Sequence, residues 1–141
     1  MVKVQHFEYK KAESILKKKN LLSEINDVLN KIQKLEKRQT HSEICGLLHQ
    51  KGWRIEEKLL DKTDYLQDAF KNGVMVEVDF SIIDSVHRNF LRAQELFKRR
   101  KVEVLVQIVP NKFEPKFDKM KRDINVFQHT LDVPIYLIGI S

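Results

Sequence analysis

The segment Val74-Met75-Val76-Glu77-Val78-Asp79-Phe80 constrains the fold of this chain most, because it reads as a buried strand and yet carries two carboxylates. Successive side chains of a strand leave opposite faces, so Glu77 and Asp79 share one face while Val76, Val78 and Phe80 point to the other. Two negative charges on one face of a core strand repel each other and lose hydration, which is tolerated where a cation compensates. A divalent metal site is the sharp reading; the bland one is the solvated face of an antiparallel strand. Asn72-Gly73, just upstream, is a hairpin turn that brings a preceding arm alongside and Asp68 with it.

Around this strand the pattern alternates between periods. From Phe7 to Lys37 the residues Ile15, Leu16, Leu21, Leu22, Ile25, Val28, Leu29, Ile32 and Leu35 recur at helical spacing, with Asn20 as a break. Thr40, followed three residues later by Glu43, reads as the cap of a short helix from Ser42 to His49 that stops at Gly52. Trp53 to Leu60 reads as an edge strand because Glu56, Glu57 and Lys58 interrupt it. Ser81 and Asp84 can cap a helix running to about Lys101, with an apolar stripe of Val86, Phe90, Ala93, Leu96 and Phe97 and a basic opposite face. The β-branched run Val102 to Val109 is a strand that ends at Pro110. A further helix lies between Pro115 and Thr130, and a last strand between Val133 and Ile140.

These elements predict an α/β fold, a mixed central sheet flanked by helices. The 141 residues form a single domain, with residues 1–52 as a helical region and 53–141 as a catalytic α/β core. The Leu/Ile stripe from Ile15 to Leu35 has a second reading, as an interface for another chain. The polar stretch Met1 to Lys11 and the lack of an apolar run near 18 residues predict a cytoplasmic protein that does not enter membranes.

Charge narrows the partners. A net charge of +6 is moderate, but the cations cluster at Lys10, Lys11, Lys17, Lys18 and Lys19 and again at Arg88, Arg92, Lys98, Arg99, Arg100 and Lys101. A carboxylate pocket beside cationic helix surface suits a metal-dependent enzyme acting on a phosphate backbone. The four glycines are isolated, so there is no phosphate-cradling loop and no nucleotide cofactor is expected. The single cysteine, Cys45, sits among Ile44, Gly46, Leu47 and Leu48 and reads as a buried structural thiol. His6, His41, His49 and His129 are scattered without ligand spacing, and a histidine metal site is not expected. His87, at a helix start, is a candidate base, and Glu13, Glu103 and Gln107 are further residues that can face the site.

The hairpin places Asp68 on one arm and Glu77 and Asp79 on the other, where they can converge. Mg²⁺ prefers oxygen ligands and takes one or two protein carboxylates, so Asp68 and Glu77 suffice as direct ligands, and Asp79 is left to orient or deprotonate an attacking water. This pattern, Asp68 followed nine positions later by Glu77 in Val-Glu-Val-x-Phe, resembles the PD-(D/E)XK nuclease superfamily and within it the BglII/BstYI-like type II restriction endonucleases. The resemblance spans roughly residues 60–140 and continues through Arg88-Asn89-Phe90, Val104 to Pro110 and Pro134 to Gly139. It implies a restriction-endonuclease-like core, with Asp68 and Glu77 matching the metal-binding acids and Asp79 in the third position, where most of the superfamily has Lys and the BglII branch has Gln. It further implies a Mg²⁺-dependent endonuclease, with Mn²⁺ able to substitute, that cuts double-stranded DNA as a homodimer. Lys71, Asn72, Ser81, Arg88 and Arg92 are the candidate DNA contacts. The alternative is a catalytically degenerate nuclease fold that binds DNA or another partner without turnover.

Overall fold

Every residue from Val104 to Pro110 is buried, as is every residue from Ile135 to Ile140, because helices cover both faces of the sheet these strands centre. A computed structural model describes residues 1–141. Its strands are β1 (Val4–Tyr9), β2 (Arg54–Glu57), β3 (Gln67–Lys71), β4 (Val74–Val78), β5 (Val104–Pro110) and β6 (Ile135–Ile140). Its helices are α1 (Ala12–Lys18), α2 (Leu22–Asn30), α3 (Lys37–Gln50), α4 (Ile83–Lys98) and α5 (Phe117–Val126). The strands lie in the order β1-β6-β5-β4-β3-β2. Neighbours β4, β5 and β6 are parallel, and the outer pairings are antiparallel. The expected mixed α/β architecture is therefore present. The parallel strands are the continuous β-branched runs, as two-sided burial requires.

Two cores sandwich the sheet. On one face Leu16, Ile25, Leu29, Ile32, Ile44 and Leu48 of α1 to α3 and their connections pack on Val74, Val76, Val106 and Ile138. On the other, Val86, Phe90, Ala93 and Leu96 of α4, with Met120 and Ile124 of α5, pack on Met75, Leu105, Val109 and Leu137. Each such aliphatic side chain contributes about 1.5–3 kcal/mol by leaving water. The Leu/Ile stripe is thus spent on the chain's own core, which overturns its reading as an interface for another chain.

Three local expectations need correction. The region read as helical over residues 1–52 opens with a strand, since β1 pairs antiparallel with β6 from Val4 opposite Ile140 to Tyr9 opposite Ile135. Its exposed, polar residues at an unprotected edge hid it from periodicity. The stretch read as helical from Phe7 to Lys37 is two short helices that end at Asn30, with Asn20 between them at φ 58, a left-handed conformation Asn tolerates. The third helix begins at Lys37, so Thr40 lies in its first turn, and its Oγ1 accepts the Glu36 N–H at 2.7 Å from inside the helix.

Candidate active site

Asn72 and Gly73, both at positive φ (47 and 79), close the β3–β4 hairpin in two residues. That turn sets the register: Lys71 faces Val74, Phe70 faces Met75 and Ala69 faces Val76. One step further along, Asp68 and Glu77 stand opposite each other at the open end. The nine-residue spacing is therefore the signature of a two-residue turn with four residues on each arm. Two bonds tie the pair together: the Asp68 N–H donates to Glu77 Oε1 at 3.3 Å, and the Val78 N–H donates to Asp68 Oδ2 at 2.9 Å.

Glu77 is only 5 % exposed. Burial, and then the charges of Asp68 and Asp79, hold its carboxyl well above the ordinary range. Asp79 follows the end of β4, and its N–H continues the ladder by donating to Ile108 O at 2.9 Å. Its side chain is fixed on one oxygen: Oδ2 accepts from Asn89 Nδ2 at 2.6 Å and Gln107 Nε2 at 3.3 Å, and neither donor bonds the other oxygen. Burial raises the Asp79 carboxyl to about 6, the Gln107 and Asn89 bonds opposing that rise and the Asp68 charge adding to it. Asn89 and Gln107 are themselves buried and joined, Nδ2 to Oε1 at 3.1 Å, and Gln107 also donates to the Glu77 carbonyl at 3.3 Å. Three carboxylates thus converge on the end of the hairpin, with one imidazole beside them. His41 Nε2 on α3 lies 3.1 Å from Asp68 Oδ2, and that bond raises its pKa.

Cavities open on both sides of His41. One of about 440 Å³ is lined by Cys45, His49, Glu56 and Asp68; the other, of about 420 Å³, by Lys37, Arg38, Asp79 and Ser81. Ser81 is exposed and shares a cavity wall with Asp79. Arg88 and Arg92 sit on α4 either side of Asn89: Arg92 lies 3.7 Å from the Tyr65 ring centre, and Arg88 is exposed with Nη2 on Ser85 Oγ.

Lys71 and Asn72 are not brought to this site. They occupy the closed end of the hairpin, where Lys71 Nζ donates to Glu24 Oε1 at 3.0 Å and to the Lys51 carbonyl at 2.8 Å, and the Asn72 carbonyl accepts from Lys19. Both residues thus tie the turn to the helical layer, through Glu24 on α2, the Lys51 carbonyl and Lys19. Glu103 pairs with Lys19 at the same end, Glu13 pairs with Lys17, and His87 is held by Asp123 at 2.8 Å between α4 and α5. The sequence reading missed four residues at the site: His41, Lys37, Arg38 and the role of Asn89. Asn89 left a readable trace, since a polar residue at three- and four-residue spacing from Val86 and Ala93 interrupts an apolar stripe. The other three left none, because α3 reaches the carboxylates only through tertiary packing.

The donor set fits a hard divalent cation. It consists of oxygens, its most buried member has no cation of its own, and the Glu77 and Asp79 carboxyls are pushed up by burial and then by neighbouring negative charge, both of which such an ion would offset. No helix is long and apolar enough to cross a membrane. Comparison with known proteins yields similarities in sequence and in structure. A family model described as restriction endonuclease BglII/BglIII matches residues 4–140. The solved structure of restriction endonuclease BglII complexed with a DNA 16-mer superposes with a TM-score of 0.84 at 22 % identity, covering 97 % of this chain and 77 % of that one. No curated protein matches the sequence.

Proposed function

This chain belongs to the BglII/BglIII restriction endonuclease family, and on that premise we propose that Asp68, Glu77 and Asp79 hydrolyse the phosphodiesters of double-stranded DNA with Mg²⁺. The observation that carries the reading is the convergence of three carboxylates, one almost fully buried, at the open end of a hairpin. Asp68 and Glu77 would hold the ion, and Mn²⁺ would take its place. When bound, the ion supplies positive charge to a non-bridging phosphate oxygen and acidity to a water.

The chain's own groups do the positioning. Asn89 and Gln107 hold Asp79 by Oδ2, which leaves Oδ1 to accept a proton from the attacking water. Asp79, with its carboxyl raised to about 6, is closer to a general base's working range than an ordinary aspartate. Asp stands where the BglII branch has Gln, so the base is built into the chain here. The two amides that grip it supply the rigidity a shorter side chain needs. The Val78 N–H and His41 both bond Asp68 Oδ2, which fixes the carboxylate that would hold the ion. Lys37, Arg38 and Ser81, beside Asp79, are placed to bind the phosphates flanking the scissile bond. Cutting both strands of a symmetric site needs two such centres, so the working form is a homodimer.

The test is cleavage of plasmid DNA by the pure chain. Linear product in Mg²⁺, none in EDTA, and loss of turnover in Glu77→Gln with DNA binding kept are expected. Salt-sensitive binding without cleavage in Mg²⁺ or Mn²⁺ would instead mark the degenerate, non-cutting alternative. Sedimentation of the chain with and without DNA reads the dimer.

A further inference from the structure

His41 and Cys45 lie four residues apart on α3, so both side chains stand on one face of the helix, one turn apart. That face meets the end of β3, where an imidazole nitrogen, Cys45 Sγ and an Asp68 oxygen all lie within 4.8 Å of one another. His41 Nε2 is already 3.1 Å from Asp68 Oδ2. A tetrahedral ion bound at about 2.0–2.1 Å to nitrogen and oxygen and about 2.3 Å to sulfur holds those atoms roughly 3.3–3.6 Å apart. The three donors therefore need to close by only about 1 Å to share such an ion.

We propose that His41, Cys45 and Asp68 form a second metal site, selective for a borderline-soft divalent ion of the zinc class. The donor chemistry separates it from the carboxylate site. A thiolate and an imidazole are poor ligands for Mg²⁺ and good ones for Zn²⁺. The cavity of about 440 Å³ beside Cys45 leaves room for a water as fourth ligand, and the Glu56 carboxylate on its wall adds negative charge. On binding, the Cys45 S–H bond breaks, a sulfur–metal bond forms, and the proton goes to solvent. Asp68 belongs to both sites. Occupancy by the softer ion withdraws it from Mg²⁺ and stops cleavage, a consequence that rests on the proposed nuclease reading, whereas the site does not.

Co²⁺ is the probe, added to the metal-free full chain. A thiolate-to-cobalt charge-transfer band with tetrahedral visible bands, saturating at a single equivalent and bleached by Zn²⁺, is expected. The band disappears in Cys45→Ser and Cys45→Ala and stays in Glu77→Gln, with circular dichroism confirming the fold of each. Should neither cysteine variant fold, His41→Asn serves, with loss of the tetrahedral bands as the expected result. Absence of the band in the unaltered chain, its survival in Cys45→Ser, or its loss in Glu77→Gln overturns the proposal. In Mg²⁺-driven cleavage, one equivalent of Zn²⁺ lowers the rate at least about ten-fold, and Cys45→Ala removes that inhibition. A cobalt band without inhibition by Zn²⁺ keeps the site and overturns the part assigned to Asp68 in cleavage.

Discussion

Glu77 is a residue whose contribution to stability and whose use in chemistry oppose each other. Ionised beside Asp68 and Asp79 in a buried position, it destabilises the metal-free fold, and replacing it by Gln keeps an acceptor for the Asp68 N–H while removing the charge. Glu77→Gln is expected to raise metal-free stability at pH 8 by about 1–2 kcal/mol, or roughly 2–4 °C per kcal/mol, while abolishing cleavage. Thermal melts in EDTA read the first effect. The pH dependence has a definite sign. Between the ordinary aspartate value of 3.8 and about 6, folded Asp79 binds protons that the unfolded chain has released. Stability of the metal-free protein therefore falls as pH rises through that window, and Glu77 extends the fall upward. His41, whose pKa is also raised, adds stability below its ordinary value of 6.5 that is lost as pH rises through the higher folded value, in the same direction. Melts in EDTA at pH 4.5 and pH 8 should show the acid sample as the more stable of the two with respect to these groups, with the difference reduced in Glu77→Gln. Asn89→Ala leaves Oδ2 of Asp79 to Gln107 alone. A fall of about ten-fold or more in kcat, with KM for DNA little changed, is expected in steady-state cleavage.

At the scale of elements, the hairpin shows what a two-residue turn does for a site. Gly73, at φ 79, sets the register that opposes Asp68 to Glu77, and its conformation disfavours any side chain. A Cβ there would meet the flexible Glu103 side chain, Cγ at 3.3 Å, Cδ at 3.4 Å and Oε1 at 3.6 Å. Gly73→Ala should therefore destabilise by about 1 kcal/mol in urea titrations and leave kcat unchanged, since the turn is at the far end from the carboxylates. Gly139 differs: a Cβ on β6 would run into Asn111 Oδ1 and meet Phe117 Cβ and Cδ2 at 2.8 Å. Gly139→Ala is expected to cost about 2–3 kcal/mol by the same measurement, because the Asn111 and Phe117 side chains must both shift to admit the methyl group. The hairpin was legible from Asn72-Gly73, the parallel strands from their unbroken β-branched runs, and α4 from its stripe. The edge strand β1 was not. Its exposed positions, among them Gln5, His6 and Glu8, are polar, so no hydrophobic alternation marks them. Likewise, Asp68 and Glu77 could be paired through a turn of known length, whereas His41 joins them across 27 positions with no local rule to link it.

For the whole molecule, the question is which of the many cations meet DNA. Net charge does not say, since +6 is spread over 26 basic and 20 acidic residues. The fold separates them. Lys71 is spent internally on Glu24 and the Lys51 carbonyl, Lys19 on Glu103 and the Asn72 carbonyl, and Lys98 on Asp132. Lys37 and Arg38 instead line the cavity that holds Asp79 and Ser81, on the side of the sheet end from which a phosphate can approach the carboxylates. A cation that neutralises one phosphate changes the slope of log affinity against log salt by about one, independently of base sequence. Replacing Lys37 and Arg38 together by Ala should weaken binding to cognate and random duplexes alike and reduce the salt slope by about two. Lys71→Ala should leave the slope unchanged and lower thermal stability, because it breaks a tie between the hairpin and α2. Binding measured in Ca²⁺ across a range of salt concentrations separates these outcomes. A Lys71→Ala slope that falls as far as that of the double variant would move the DNA to the closed end of the hairpin, and with it the assignment of Asp68, Glu77 and Asp79 to cleavage.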